Sequence, residues 1–151
     1  MTVTLRPAEV PDAAACALLM RAWCDETPWL PQLHTAEEDR AFVTRRISVG
    51  RVLVAVEGGG VVGFASYDPG YLAQLQVGAA HRGRGIGARL LDRVKAASPG
   101  GFELWTFQAN RDALRFYLRE GLTEILRTDG QDNEERLPDV RLAWAGSGEG
   151  V

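Results

Sequence analysis

The apolar positions of the chain fall into short runs and alternations that predict β-strands. Residues 2–6 alternate polar and apolar positions, as an edge strand does. Residues 51–57 carry five consecutive apolar residues, which is typical of a strand covered on both faces. Three glycines at 58–60 then turn the chain into the next strand and predict a hairpin. In all, strands are predicted at residues 2–6, 51–57, 61–67, 71–77, 102–107, 122–128 and 140–144.

Four other segments have helical spacing or a helix start signal. Asp12, next to a proline, is predicted to cap a helix over residues 13–23. Thr35 and Glu38 match a capping box, which predicts that a helix follows Thr35. A helix over residues 86–97 presents one apolar stripe, and a helix over residues 110–120 ends at Gly121. The stripe consists of Ile86, Leu90, Val94 and Ala97.

The order of these elements predicts a mixed α/β (α+β) fold around one sheet. At 151 residues the chain has the length of one domain. We expect that domain to occupy residues 1–145 and residues 146–151 to form a disordered tail.

Composition narrows the function classes. Hydrophobic residues make up 46% of the chain and charged residues 25%, as in an ordinary globular protein. The net charge of -3 disfavours nucleic acid and anionic membranes as partners, and no apolar stretch is long enough to span a bilayer. Residues 1–6 contain no apolar run of signal-peptide length, so we expect a cytoplasmic protein. Cys16 and Cys24 are expected to be reduced thiols, and no metal site is expected.

A glycine-rich turn at residues 82–87 follows a predicted strand and opens a predicted helix. Gly83, Gly85 and Gly87 would let successive backbone amides approach a phosphate, which side chains would keep away. The first amides of a helix have no partner inside it and carry the positive end of its dipole. Arg82 and Arg84 add positive charge. The turn is therefore predicted to bind a pyrophosphate.

A dinucleotide-binding protein is the rival interpretation of this turn, because Gly83-x-Gly85-x-x-Ala88 satisfies a loose fingerprint. Its context disfavours that reading. A Rossmann unit places the turn after its first strand and an acidic residue at the end of the next strand. Here the turn lies past the middle of the chain, and the next strand ends in Phe107-Gln108. A nicotinamide-dependent oxidoreductase is therefore a secondary hypothesis.

Two motifs together resemble the GNAT (GCN5-related) N-acetyltransferases. Arg82-x-x-Gly85-x-Gly87 matches the acetyl-CoA signature of that family. A second matching region combines a strand, an asparagine and a helix, at the expected separation from the first. It comprises Leu104-Trp105-Thr106-Phe107-Gln108-Ala109-Asn110, Ala113, Phe116-Tyr117 and Gly121-Leu122.

The resemblance implies acetyl-CoA as the acetyl donor and an amine as the acceptor. It implies a mostly antiparallel sheet with helices on both faces and a splay between two central parallel strands. The pantetheine arm would lie along Leu75, Gln76 and Val77, and one of their amides would stabilise the developing oxyanion. Asn110 would contact the cofactor, and Tyr117 would be the general acid for the departing thiolate. The pyrophosphate would bind the amides of Arg82, Gly83, Arg84, Gly85, Ile86 and Gly87.

The spacing of Asn110 and Tyr117 agrees with these roles. They are seven residues apart, which is two helical turns, so their side chains share one helix face. A tyrosine is protonated at neutral pH and can donate to a thiolate. The alternative is that Tyr117 is a core aromatic beside Phe116.

The general base is not specified by the strand at residues 71–77, which offers Gln74 and Gln76 but no carboxylate. His34, Glu134 and Glu135 are the remaining candidates, although a surface or capping role is an alternative for His34. The acidic segment 129–135 reads either as a polar hairpin loop or as part of a pocket for a cationic acceptor.

Aromatic side chains could line that acceptor pocket. Trp29 or Trp105 could supply such a wall. His34, Glu134 and Glu135 complete the predicted acceptor site with Trp29.

The sequence thus favours an N-acetyltransferase that moves an acetyl group to a small-molecule amine by direct attack. A non-catalytic acyl-CoA sensor or interaction module is one alternative, because the strand carboxylate is missing. Acetylation of a protein N-terminus or lysine is another, although so short a chain leaves little room for a peptide groove. The expected assembly is a monomer or a homodimer.

Overall fold

The computed structural model describes residues 2–147. The predicted elements are all present, most with ends shifted by one or two residues. The helices are α1 Ala13–Asp25, α2 Ala36–Ser48, α3 Ile86–Ala97 and α4 Arg111–Arg119. The strands are β1 Val3–Pro7, β2 Val52–Glu57, β3 Gly60–Asp68, β4 Tyr71–Val77, β5 Phe102–Phe107, β6 Thr123–Thr128 and β7 Asp139–Trp144.

The seven strands form one sheet in the order β1-β2-β3-β4-β5-β7-β6. Neighbouring strands are antiparallel except β4 and β5, which are parallel. This confirms the mixed fold with a mostly antiparallel sheet and a central parallel pair.

The parallel pair touches only at its beginning. Among residues 2–147, β4 pairs with β5 at a single position, Tyr71 opposite Glu103. Beyond that pair β4 continues to Val77 in register with β3 alone. Because β5 diverges there, the backbone groups of Leu75 to Val77 on that side have no ladder partner. The two parallel strands therefore diverge after Tyr71 and Glu103, which is the predicted splay.

Helices cover both faces of the sheet. Val52 and Val54 pack with Phe64 against α1 and α2, whereas Leu53 and Ala55 belong to the core beneath α3 and α4. Alternate residues of β2 thus face different layers, which confirms that this continuous apolar strand is covered on both sides. The prediction for α3 needs one correction, since Leu91 is buried in its stripe and Ala97 is exposed.

The two predicted helix caps have different outcomes. Thr35 Oγ1 accepts from Glu38 NH at 3.1 Å and Glu38 Oε1 accepts from Thr35 NH at 2.9 Å, which confirms the capping box. Asp12 precedes α1, but its side chain does not cap that helix. Its carboxylate accepts instead from Arg6 and from Glu9 NH, both at 2.7 Å. The cap prediction for Asp12 is therefore wrong, because a nearby guanidinium competes for its oxygens.

The Arg6 pairing predicts a pH dependence of stability. The hydrogen bond from Arg6 lowers the pKa of the Asp12 carboxyl in the folded state. A lowered folded-state pKa stabilises the fold above the unfolded value, and the contribution is lost as pH falls through the folded value. Wild type should therefore melt above Asp12→Asn at neutral pH, and the gap should narrow below about pH 4. Melting temperatures between pH 7 and pH 2 test this; Asp92→Asn, on the exposed face of α3, is the control. A gap that stays constant with pH would contradict it.

Both cysteines are free thiols. Cys16 is fully buried, and burial raises its pKa to about 12, so it is inert. Of the predicted tail, Gly146 and Ser147 are described, and Ser147 NH donates to Pro99 O at 3.1 Å, while residues 148–151 lie outside the described residues. No helix within residues 2–147 has the length and apolar character needed to cross a membrane.

Candidate functional site

The glycine turn has a backbone conformation that favours glycine, and its backbone is accessible to a ligand. Gly83 and Gly85 have φ angles of +77° and +81°, in the left-handed region that favours glycine. A Cβ built on either residue would meet no atom within 4 Å. Nothing in the protein fills the space beside them, so the turn presents bare backbone to a groove.

The start of α3 supplies unpaired donors to the same place. The first hydrogen bond of the helix runs from Arg89 NH to Gly85 O at 3.0 Å. The NH groups from Gly85 to Ala88 therefore have no partner inside the helix. With the positive end of the helix dipole behind them, they form a site suited to an anion such as a phosphate.

Gly87 differs from the other two glycines in its backbone conformation and lies in the first turn of α3. Its φ is not in the left-handed region. A Cβ there would lie 3.4 Å from Phe116 Cζ on α4, which is an ordinary van der Waals contact, so alanine would also fit. Gly87 lines the groove, and a side chain longer than that of alanine would meet Phe116.

The two arginines of the turn are placed differently. Arg82 lines the groove, where Nε donates to Val77 O at 3.0 Å and Nη2 lies 2.5 Å from Glu26 Oε1. Arg84 does not line it: its guanidinium pairs with Glu57 on β2, with Nη2 and Oε2 2.5 Å apart. The prediction that the Arg84 side chain adds charge to the phosphate site is therefore wrong, although its backbone belongs to the turn.

We call the groove beside Gly83 and Gly85 the turn groove. It has a volume of about 930 Å³ and runs from the glycine turn along Leu75, Gln76 and Val77 to α4. Its positive charge comes mainly from α4, which the sequence analysis missed. Arg111, Arg115 and Arg119 all line the groove, together with Asp112, which pairs with Arg115. The spacing of four residues between the arginines, which places them on one helix face, was the available signal.

A second space, the inner cavity, has a volume of about 330 Å³ on the far side of β4. Its walls come from α1, the α1–α2 loop, the start of α2, β4, β5, α4 and the β6–β7 loop. Its charged lining residues are Arg21, His34, Asp39 and Glu135. Its larger apolar and aromatic lining residues are Met20, Trp23, Leu30, Leu33, Leu72, Leu75, Leu104, Trp105, Phe107 and Tyr117.

The turn groove and the inner cavity meet at a shared wall. Six residues line both spaces: Trp23, Leu75, Gln76, Asn110, Ala113 and Tyr117. Because β4 and β5 have separated at this level, the two spaces are on either side of one opening in the sheet. A ligand in the groove and a second ligand in the cavity would therefore meet beside Leu75, Gln76 and Tyr117.

Tyr117 is both part of the core and part of this wall. Tyr117 lies on α4, and its side chain packs in the core with residues of α3 and the sheet. The residue is 8% exposed, and this burial raises the pKa of its phenol. Within the described part of the chain its hydroxyl has no hydrogen-bond partner. A protonated hydroxyl without a partner, facing both spaces, is available to donate to a ligand.

Asn110 is fixed by a structural role. Its Oδ1 accepts from Ala113 NH at 3.2 Å and so caps α4. It also lines both spaces. The cap orients the side chain at the shared wall, where the predicted contact to a cofactor would be made.

The three predicted base candidates are close in space but differ in their partners. His34 lines the inner cavity, and its Nε2 lies 2.9 Å from Glu134 Oε1 and its Nδ1 3.8 Å from Glu38 Oε2. The hydrogen bond with Glu134 raises the pKa of His34, which favours the protonated ring. Glu134 itself does not line the cavity, whereas Glu135 does and has no ion pair within residues 2–147.

The loop that carries these glutamates is braced. Asn133 Nδ2 donates to Leu137 O at 2.7 Å and to Asp139 Oδ2 at 3.1 Å, and Asn133 Oδ1 accepts from Leu137 NH at 3.2 Å. Arg136 has a φ of +56°, an uncommon conformation for a residue with a side chain. These contacts position Glu135 at the cavity, beyond what a simple polar hairpin loop requires.

The two tryptophans predicted for an acceptor wall, Trp29 and Trp105, line different spaces. Trp105 lines the inner cavity and is 42% exposed. Trp29 lines the turn groove instead, so its predicted place in the acceptor wall is wrong. Its ring packs edge-on against Trp23 and Phe107, with centroids 6.3 Å and 5.8 Å apart, which buttresses the side of the cavity from outside.

The sequence of this chain matches one known protein family. Residues 48–124, about half of the chain, match the family described as an acetyltransferase (GNAT) domain. This segment includes the splayed strands, the glycine turn, α3 and α4. No curated protein matches the chain in sequence.

Solved structures share the fold over nearly the whole chain. Apo YjaB from Escherichia coli is 21% identical, with 97% of this chain and 100% of that chain covered at a TM-score of 0.78. The yncA protein of Salmonella typhimurium, solved with its cofactor acetyl-CoA, is 21% identical, with 96% and 94% covered at 0.76. Ribosomal-protein-alanine N-acetyltransferase from Brucella melitensis is 23% identical, with 94% and 99% covered at 0.72.

Proposed function

Since this chain belongs to the GNAT acetyltransferase family, we propose that it transfers an acetyl group from acetyl-CoA to the amine of a small molecule. The observation that carries the proposal is the shared wall, where a groove suited to a diphosphate meets a cavity of small-ligand size. Leu75, Gln76 and Tyr117 would surround the reacting atoms there.

The residues of the turn groove fit acetyl-CoA. The unpaired amides at the start of α3 and the open space beside Gly83 and Gly85 suit its pyrophosphate. The unpaired edge of β4 suits the amide groups of its pantetheine arm, which need backbone partners. Bound there, acetyl-CoA supplies a thioester whose carbonyl carbon accepts the amine nitrogen as the carbon–sulfur bond breaks.

Tyr117 and Glu135 are the proposed proton-handling residues. The amine loses protons as the nitrogen–carbon bond forms, and the leaving sulfur gains one. Tyr117, whose phenol is protonated at neutral pH, donates that proton to the leaving sulfur and is reprotonated from solvent before the next turnover. Glu135, which lines the cavity without an ion pair in the described chain, takes the proton from the amine directly or through a water. His34 is less suited to that role, because its hydrogen bond with Glu134 raises its pKa and so favours the protonated ring.

The size of the inner cavity favours a small acceptor over a polypeptide. A volume of about 330 Å³ accommodates on the order of ten water-sized groups. The shape similarity to ribosomal-protein-alanine N-acetyltransferase keeps a protein N-terminus as the second candidate acceptor. We also propose a cytoplasmic location, which the two free thiols favour.

A thiol-release assay tests the proposal. Purified protein, acetyl-CoA and a panel of small primary amines should release coenzyme A thiol at a rate that saturates with at least one amine. Peptides with free N-termini are included to test the second candidate. Saturable binding of coenzyme A without thiol release from any acceptor would instead support a sensor role. Stabilisation against heat by NAD(H), but not by coenzyme A, would reject the proposal in favour of the dinucleotide interpretation.

A further inference from the structure

Asp39 is an unusual group in the wall of the inner cavity. It lies in the first turn of α2, is only 8% exposed, and lines the cavity but not the turn groove. Within residues 2–147 its carboxylate oxygens accept no hydrogen bond. Neither oxygen is fully enclosed, so the carboxylate can accept a hydrogen bond from a ligand in the cavity, where a cation would offset the cost of its partial desolvation.

The nearest cation compensates Asp39 incompletely. Arg21 Nη2 lies 3.5 Å from Asp39 Oδ2, which is longer than a charge-assisted hydrogen bond. The same Nη2 donates to His34 O at 2.9 Å, and Nη1 donates to Gln32 Oε1 at 3.4 Å. The guanidinium therefore serves chiefly to hold the α1–α2 loop against the cavity.

The remaining charges give the cavity a negative bias. Glu135 has no ion pair in the described chain, whereas His34 already has Glu134 as its partner at 2.9 Å. Four carboxylates thus surround one guanidinium and one imidazole at this cavity: those of Asp39 and Glu135, and those of the two partners of His34, Glu38 and Glu134. Trp23 and Trp105 also line this space, and the face of an indole attracts a cation.

We propose that the inner cavity selects amines that carry a second cationic group, and that Asp39 determines this specificity. The inference rests on the proposed function, since it assigns the reacting amine to the shared wall. Asp39 is not part of that wall, so it meets the distal end of the acceptor. A linear diamine fits both requirements, with one amine at Tyr117 and an ammonium group at Asp39.

Three acceptors that share a four-carbon chain test the charge preference. These are 1,4-diaminobutane, butylamine and 4-aminobutyrate, which share a primary amine and end in a cation, a methyl group and an anion. The diamine should exceed butylamine in kcat/KM by roughly tenfold or more, with 4-aminobutyrate the poorest. Equal values for the first two would overturn the inference. A preference for 4-aminobutyrate would do so as well and would assign the cavity to amino acids held by Arg21.

A charge-matched pair of variants assigns the preference to one residue. Asp39→Asn should bring the diamine and butylamine to the same kcat/KM. Glu37→Gln removes a carboxylate from the same turn of α2, but one that is exposed and lines neither space, so it should keep the preference. An unchanged preference in Asp39→Asn would overturn the role of this residue.

Calorimetric titration lets the inference and the proposed function fail separately. The same three compounds are titrated into wild type with coenzyme A bound, which reads the charge preference without turnover. Diamine binding without any thiol release would reject the transferase but retain the cation-selective cavity. Thiol release from amines with no charge preference would retain the transferase but reject the cation-selective cavity.

Discussion

Gly85→Val is expected to lower the affinity for coenzyme A by roughly 100-fold or more, equivalent to about 2.7 kcal/mol. The space beside Gly85 belongs to the turn groove, and a side chain there would separate the first amides of α3 from a bound diphosphate. The left-handed φ of +81° also strains any residue with a Cβ, by about 1–2 kcal/mol. Isothermal titration calorimetry with coenzyme A measures the first effect and urea unfolding the second.

Gly59→Val is the matched control. Gly59 has the same φ of +81° and the same absence of atoms within 4 Å, but it lies in the β2–β3 turn and lines neither space. Gly59→Val should lower the free energy of unfolding as Gly85→Val does, but it should keep the wild-type affinity for coenzyme A. If both variants bound coenzyme A as wild type does, the glycine turn would not be the phosphate site. Gly87→Val is a poorer probe, because its packing against Phe116 would be disturbed at the same time.

Tyr117→Phe is expected to slow thiol release in a single turnover by about 10²- to 10⁴-fold. The substitution removes the hydroxyl that would donate to the leaving sulfur and keeps the ring that packs in the core. Since the hydroxyl has no partner within residues 2–147, both the free energy of unfolding and the affinity for coenzyme A should change little. Because burial raises the pKa of Tyr117, its proton should be retained, and ionisation of this group should cause no decline in rate below about pH 10.

Tyr71→Phe controls for the loss of a phenol from the same sheet region. Tyr71 is 40% exposed at the start of β4 and lines neither space, so its variant should release thiol at the wild-type rate. A Tyr117→Phe enzyme as fast as wild type would remove the assigned role and leave Tyr117 as a core aromatic only.

Local signals in the sequence were sufficient for most of the fold. The apolar run of β2 predicts coverage on both faces because each residue of a strand alternates sides. The capping box at Thr35 and Glu38 succeeds because all its atoms lie within four residues. The glycine turn was recognisable for the same reason, since positive φ and an open helix start are local properties.

Properties that depend on distant residues were not predictable in this way. Arg84 is next to the turn in sequence, but it points to Glu57, a residue of another strand. Asp12 precedes a helix and yet bonds to Arg6 across a loop. Asp39 has the pattern of an ordinary acidic residue in the first turn of a helix, and only the tertiary fold places it at a cavity. Trp29 was assigned to the wrong space because the path of the α1–α2 loop has no periodic signal.

The gap between β4 and β5 has a consequence for how a cofactor enters. Since the opening is built into the pairing of the strands, a long thin molecule can enter from the side without any hinge or lid having to move. In the proposed binding mode its amide groups would replace the missing ladder and tie the four strands on one side to the three on the other. The cofactor would then stabilise the sheet across its gap, and amide hydrogen exchange along β4 should slow when it is bound.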